Sequence, residues 1–128
     1  MLKINRIKEY RQAIELFNND NFQESCPIIE HIAQTLPDND TLKYDAMFYW
    51  SECLIQKNKL KKSIQILSSL INNKNSTNSI LEKSLVRLGH LYCLQNDKQT
   101  AKIYFNRLRI KFPHSAFLQL ANCGVVNK

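Results

Sequence analysis

Glycine and proline are scarce in this chain, with two Gly and three Pro among its 128 residues. An all-β protein needs turn residues roughly every ten positions, so this scarcity argues against sandwich and barrel folds. Apolar runs are also short: the longest is residues 46–50 (AMFYW), against the roughly 20 residues needed to cross a bilayer. No membrane insertion is therefore expected, and the composition suits one globular domain.

The cysteines show none of the spacings that indicate a metal or redox site. Cys26, Cys53, Cys93 and Cys123 include no Cys-x-x-Cys pair, and none stands beside a histidine at zinc-ligand spacing. Buried structural thiols are favoured over disulfides or metal ligands. The start of the chain shows no secretory leader. A cytoplasmic protein is therefore expected, with the periplasm as the alternative if a leader has been removed.

The formal net charge of +7 raises the question of a polyanion partner. The Lys and Arg residues are scattered along the sequence. They do not alternate with aromatic residues, as the cations of base-stacking platforms do. Cations in the last turn of a helix also complement its dipole. A solvated basic face is favoured over a nucleic-acid site, so no nucleic-acid partner is expected.

A constant stride relates three parts of the chain. Starting from Gly89, Tyr92, Ala101, Phe105 and Pro113, one step of 38 back gives Ser51, Leu54, Ser63, Leu67 and Asn75, and a second gives Ala13, Leu16, Ser25, Ile29 and Pro37. Small residues match small residues, and large apolar residues match large apolar residues. One unit is therefore used three times.

Apolar residues recur three and four positions apart, which indicates amphipathic helices. The expected helices span about 3–18, 22–36, 41–57, 60–73, 78–95 and 98–112, with a short capping helix near 115–123. Asp40 or Thr41 and Thr77 or Ser79 are the expected N-caps, and Gly124 is the expected C-cap of the last helix.

This alternation of small and apolar positions closely resembles the tetratricopeptide repeat. The resemblance implies an all-α fold of three helical hairpins in a right-handed solenoid, with repeats at about 3–37, 41–75 and 78–113 in a single domain over residues 1–128. The usual period of the family is 34 rather than 38. The longer spacing, and "LRIKFPHSAFLQLA" after the third repeat, resemble the C-terminal repeat domains of the periplasmic Tol–Pal cell-division coordinators of Gram-negative bacteria.

The family resemblance implies a non-enzymatic protein-binding adaptor or scaffold, with a concave groove lined by the first helix of each hairpin. No cofactor or metal is expected. Counted from the small residue of each first helix, the groove positions are Ile7, Tyr10, Ile14, Phe17 and Asn18 in repeat one, Asp45, Phe48, Glu52, Ile55 and Gln56 in repeat two, and Lys83, Val86, His90, Cys93 and Leu94 in repeat three.

Repeat one departs from the family pattern, because its apolar stripe falls on groove positions. One interpretation is a rotated first helix, or a polar N-terminal cap, whose stripe packs against its own hairpin. The other is an apolar groove continuing through Phe48, Ile55, Val86 and Leu94, which would receive a partner helix or a second copy of the chain. Replacing Phe17 and Phe48 by Lys should then abolish binding while leaving the helical content unchanged.

The residues at the relevant positions disfavour two more specific functions, a clamp for a terminal carboxylate and a catalytic site. The clamp with which some family members hold a terminal carboxylate is matched by Lys83 and Arg87 alone, because Tyr10, Ile14 and Tyr49 occupy its other positions. His90 and Cys93 share a helix face, as a nucleophile and its base would, but nothing supplies an oxyanion hole or a third orienting group. No enzyme is expected.

Overall fold

The computed structural model describes the backbone of residues 2–126 and the side chains of residues 5–126. Within that range the chain forms helices and turns and no strand, so the fold class is all-α as predicted. Six α-helices form three successive hairpins, and each helix lies within about two residues of its predicted bounds. They are α1 (Leu2–Asn18), α2 (Phe22–Thr35), α3 (Thr41–Gln56), α4 (Leu60–Ile71), α5 (Asn78–Leu94) and α6 (Lys98–Lys111).

The turn inside each hairpin repeats with the predicted stride. Asp20, Asn58 and Asn96 follow one another at that stride, and each has a positive φ, of 63°, 59° and 61°. The next amide in each turn donates to a carbonyl five residues back, at N–O distances of 2.9, 2.8 and 2.9 Å. This is the Schellman ending of a helix, in which Asn and Asp tolerate the left-handed conformation better than bulkier residues. Three equivalent turns confirm that one hairpin is used three times.

The small residues that define the repeat are all buried. Ala13, Ser25, Ser51, Ser63 and Ala101 have no measurable exposure, and Gly89 is buried as well. A Cβ atom on Gly89 would overlap the ring of Phe105, which belongs to the opposite helix of the same hairpin. A small side chain at this position therefore allows the two helices to approach closely.

Polar side chains cap the N-termini of three helices, close to where the sequence predicts that these helices begin. The carboxylate of Asp40 accepts from the amide of Leu42, and the hydroxyl of Thr77 accepts from the amide of Ile80. Asp97 caps α6 by accepting from the amide and hydroxyl of Thr100, and these hydrogen bonds hold the pKa of Asp97 below its usual range. Each cap satisfies amide donors that have no partner within the helix.

The chain divides into two compact units, residues 1–66 and 67–128. The first unit is built around α2, which packs against both α1 and α3. The ammonium of Lys43 on α3 donates to two carbonyls at the end of α2, those of Ala33 and of the C-cap residue Leu36, at 3.1 and 2.9 Å. A cation at this end of α2 complements the helix dipole. Buried residues of this unit's core include Ala13, Cys26, Ile29, Ile32, Ala33, Leu36, Ala46 and Cys53.

The second unit is centred on the hairpin of α5 and α6. Its core joins Leu85, Val86 and Cys93 of α5 to Ala101, Phe105 and Leu108 of α6, and it also includes Ala121. The predicted cap near residues 115–123 consists of two 3₁₀ turns, Leu118–Leu120 and Cys123–Val125. Gly124 lies inside the second turn and does not have a positive φ. The prediction that Gly124 forms a helix C-cap is therefore wrong.

The four cysteines form two disulfides, which corrects the expectation of separate buried thiols. Cys26 of α2 is bonded to Cys53 of α3, and Cys93 of α5 is bonded to Cys123, with Cα atoms 5.9 and 5.4 Å apart. These distances suit a disulfide without backbone movement. The sequence separations within the pairs are 27 and 30. Cysteines that are remote in sequence therefore become neighbours only through helix packing.

Candidate partner-binding surfaces

The predicted groove residues of α1 and α3 all lie in the first unit. Asn18 and Gln56 are exposed, whereas Phe48 is buried at 9% exposure. The remaining positions are half-buried: Ile7, Tyr10, Ile14, Phe17, Asp45, Glu52 and Ile55. The apolar stripe of repeat one is thus partly covered by its own unit and is not a fully open face.

Tyr49, which the groove offsets do not include, is the centre of the aromatic contacts in this unit. Its ring centroid lies 6.4 Å from that of Tyr10, 5.4 Å from that of Phe17 and 5.9 Å from that of Phe48. All three pairs are edge-to-face, a geometry that aromatic rings favour. The rings of α1 and α3 therefore meet at Tyr49.

Two carboxylates lie beside these rings. Asp45 is one turn before Tyr49 on α3, and Glu52 is nearly one turn after it. Burial raises the pKa of Tyr10, and the negative charge of Asp45 raises it further. Burial and the charges of Glu52 and Asp45 raise the pKa of Tyr49 in the same way. Both phenols therefore stay protonated well above neutral pH.

Aromatic rings and acids thus form one surface, which we name the aromatic–acidic surface. It comprises Tyr10 and Phe17 of α1 with Asp45, Tyr49 and Glu52 of α3. A cation is attracted both by the carboxylates and by the faces of the rings. The arrangement can receive a positively charged group next to an apolar one.

In the second unit, residues 118–126, which we name the C-terminal segment, contact the predicted groove positions of α5. A ring nitrogen of His90, Nε2, lies 2.6 Å from the carbonyl oxygen of Leu120, and Cys93 is bonded to Cys123. Val86 and Ala121 share the core. Val86, His90 and Cys93 are consequently 6%, 8% and 0% exposed. Arg109 holds the segment from α6, because its guanidinium donates to the carbonyl of Ala121 at 2.6 Å.

The other predicted positions of repeat three are more open. Lys83 and Arg87 are half-buried and Leu94 is 48% exposed. Lys83 and Arg87 are the two residues that match the carboxylate clamp. The other clamp positions in repeats one and two hold Tyr10, Ile14 and Tyr49, and the rings of Tyr10 and Tyr49 contact each other.

Comparison with known families gives a match to the tetratricopeptide repeat at residues 45–76 and 83–115, together just over half of the chain. The chain belongs to the tetratricopeptide repeat family. The two matched segments begin one stride apart and correspond to the hairpins α3–α4 and α5–α6. The hairpin α1–α2 lies outside the match but has the same turn geometry.

The match extends to the family and no further. No curated protein and no solved structure is similar enough to the chain to be matched. The narrower resemblance to the Tol–Pal coordinators therefore has no support from these comparisons. Tetratricopeptide repeats generally mediate protein–protein interactions and are typically non-enzymatic.

The geometry also bears on the residues considered for catalysis, metal binding and membrane insertion. Cys93 is in a disulfide and has no thiol to act as a nucleophile, and His90 contacts the carbonyl of Leu120 instead. The described residues contain no group of three or more His, Cys, Asp or Glu side chains able to hold a metal ion. Among the same residues, no helix is both long enough and apolar enough to span a membrane.

Proposed function

We propose that the chain is a protein-binding adaptor that receives a partner segment on the aromatic–acidic surface of its first unit. The observation that carries this proposal is the contact of Tyr10 and Phe17 with Tyr49 beside the carboxylates of Asp45 and Glu52. Membership of a family whose repeats generally mediate protein–protein interactions supports the same function.

The chemistry of this surface selects one kind of partner segment. Half-buried rings offer apolar contact, and two carboxylates offer attraction to cations. A cation placed over an aromatic face contributes about 0.5–2 kcal/mol, more when it is shielded from water. The expected ligand is a helix or an extended peptide in which Lys or Arg stands next to an aliphatic or aromatic residue.

The first unit is favoured over the second as the partner-binding unit, because the C-terminal segment covers predicted groove positions of α5 in the second unit. The C-terminal segment lies on Val86, His90 and Cys93, so these predicted groove positions are occupied while the segment stays in place. In the first unit, by contrast, Tyr10, Tyr49, Asp45 and Glu52 keep part of their surface exposed.

Selection from a random library of 12-residue peptides tests the proposal, followed by fluorescence-anisotropy titration of the selected peptides. We expect the selected peptides to combine Lys or Arg with a neighbouring apolar residue. The double variant Asp45→Asn/Glu52→Gln keeps the side-chain shapes and should weaken their binding about tenfold, which corresponds to about 1.4 kcal/mol of lost attraction.

The variant Glu24→Gln is the matched control, because Glu24 is an exposed acid on α2. It should bind the selected peptides like the wild type. Selected peptides that are acidic, or basic peptides that bind the double variant as tightly as the wild type, would contradict the proposal. The Phe17→Lys/Phe48→Lys pair is unsuitable, because Phe48 is buried and a buried Lys would destabilise the unit.

The second occupant to consider is another copy of the chain, which we propose as the alternative. Sedimentation of the wild type and of the Asp45→Asn/Glu52→Gln variant separates the two. Self-association that the double variant abolishes would assign the aromatic–acidic surface to a homo-oligomer.

We further propose that the protein works in an oxidising compartment, of which the periplasm is one. Disulfides persist outside the cytosol and are rare inside it, and both cysteine pairs here are bonded. This observation favours the periplasmic alternative over the cytoplasmic expectation. A role in cell division with Tol–Pal and peptidoglycan-synthesis proteins is the narrower form of that alternative.

A further inference from the structure

The net positive charge of the chain lies entirely in its second unit. Residues 1–66 contain nine Lys and Arg and nine Asp and Glu, whereas residues 67–128 contain nine Lys and Arg and only two acids, Glu82 and Asp97. The net charges are therefore zero and +7. No acid occurs after Asp97, so α6 carries cations alone.

The solvent-facing side of α6 has two large apolar residues at its centre. Ile103 and Ile110 are 59% and 82% exposed. They are seven residues apart, or two turns, and so lie on one line along the helix. The residues buried in the unit, Ala101, Phe105 and Leu108, lie on the opposite side of the helix.

Cations border this apolar line on both sides. At about 100° per residue, Lys102 falls on one side of the isoleucines and Arg107 and Lys111 fall on the other, whereas Lys98 lies near the buried side of the helix. Arg109 is not part of the border, because its guanidinium holds the C-terminal segment through the carbonyl of Ala121. We name this surface, made of Ile103, Ile110 and the bordering cations Lys102, Arg107 and Lys111, the basic face of α6.

We propose that the basic face of α6 is a second docking surface, and that its partner is an acidic amphipathic helix of another protein. Two apolar side chains in line on a helix fit between the ridges of a second helix. Asp or Glu on both flanks of the partner would complement Lys102 on one side of the isoleucines and Arg107 and Lys111 on the other. The residues of this surface all belong to the second unit and those of the aromatic–acidic surface all belong to the first, and the two surfaces select partners of opposite charge.

Other occupants fit the face less well. Two copies meeting through this face would place rows of like charge together, which is unfavourable. The face has no exposed aromatic ring on which a base could stack. Two isoleucines contribute on the order of 1.5–3 kcal/mol each when fully buried, which is a small apolar area for holding a protein on a bilayer.

A pair of synthetic helical peptides tests the inference directly. Both carry Leu at identical positions along one face; the flanks are Glu in one peptide and Lys in the other. Anisotropy titrations of the wild type should show binding of the Glu peptide and not of the Lys peptide. The variants Ile103→Gln/Ile110→Gln and Lys102→Gln/Arg107→Gln should each weaken that binding at least tenfold.

Two controls make the result specific to α6. Lys57→Gln/Lys59→Gln removes exposed cations from the turn between α3 and α4 and should leave binding unchanged. Asp45→Asn/Glu52→Gln should also leave it unchanged, so failure of this inference is distinguishable from failure of the proposed function. All these positions are exposed or half-buried, and circular dichroism checks that each variant stays folded.

Several outcomes would overturn the inference. If the Ile103→Gln/Ile110→Gln variant bound the Glu peptide as tightly as the wild type does, charge attraction alone would hold the peptide and the isoleucines would have no part in docking. Tighter binding of phosphatidylserine vesicles or duplex DNA than of the Glu peptide would assign the face to a lipid surface or to nucleic acid. Self-association that the isoleucine variant abolishes would assign it to a second copy.

Discussion

Gly89→Ala is expected to lower the free energy of unfolding by about 2 kcal/mol, although alanine is the better helix former. The added Cβ would overlap the ring of Phe105, which is 2% exposed and packs in the core of the second unit. Overpacking of a core typically costs 1–3 kcal/mol. Urea unfolding followed by circular dichroism measures the change.

A second substitution shows whether the contact itself causes the loss. Adding Phe105→Leu shortens the opposing side chain, so the double variant should recover part of the stability that Gly89→Ala loses. Gly124→Ala is the matched control and should change stability by less than about 0.5 kcal/mol, because Gly124 is exposed and its φ is not positive. A Gly89→Ala protein as stable as the wild type would disprove close helix approach at this position.

Loss of both disulfides is expected to destabilise the protein more than any single substitution. Cys26–Cys53 and Cys93–Cys123 close segments with sequence separations of 27 and 30. In the chain-entropy model each such closure is worth about 3.5 kcal/mol. The variants Cys26→Ala/Cys53→Ala and Cys93→Ala/Cys123→Ala should each lower the urea midpoint, and the fourfold variant should be unfolded or nearly so.

Reductant provides the matched test in the native sequence. Dithiothreitol should lower the urea midpoint of the wild type and leave the circular dichroism spectrum of the fourfold variant unchanged. Protein trapped with an alkylating agent in its own cells should show no reactive thiol if it works in an oxidising compartment. Four alkylated cysteines in folded protein, with the same midpoint before and after reduction, would contradict both the pairing and the compartment.

The sequence contained most of the information needed for the fold. Periodic apolar positions located the six helices because each helix buries one stripe. Short polar side chains that satisfy free amides indicate Asp40 or Thr41 and Thr77 or Ser79 as caps, and the structure selects Asp40 and Thr77. A further signal, the recurrence of Asp20, Asn58 and Asn96 at the repeat stride, was present in the sequence and marks the three equivalent turns.

The disulfides and the C-terminal segment could not be predicted in the same way. Cys26 pairs with Cys53 because α2 packs against α3, and Cys93 pairs with Cys123 because the C-terminal segment returns to α5. Neither sequence separation, 27 or 30 residues, equals the 38-residue stride of the repeat. Both contacts depend on tertiary packing, which a period along the chain does not describe.

The candidate surfaces were predictable only in part. Offsets from the repeat pointed to Tyr10, Asp45 and Glu52, which the structure brings close to Tyr49. They missed Tyr49 itself, because an offset says which way a helix position faces but not how far a large ring extends. They also included Val86 and His90, which the C-terminal segment covers.

The most direct test of the account is an amide chemical-shift titration of the ¹⁵N-labelled protein with the tightest-binding peptide selected from the library. We predict that the perturbed amides cluster on α1 and α3, around Tyr10, Asp45, Tyr49 and Glu52, and that the perturbations vanish in the Asp45→Asn/Glu52→Gln variant. Perturbations centred on α2 or on the α5–α6 hairpin, with α1 and α3 unaffected, would contradict it.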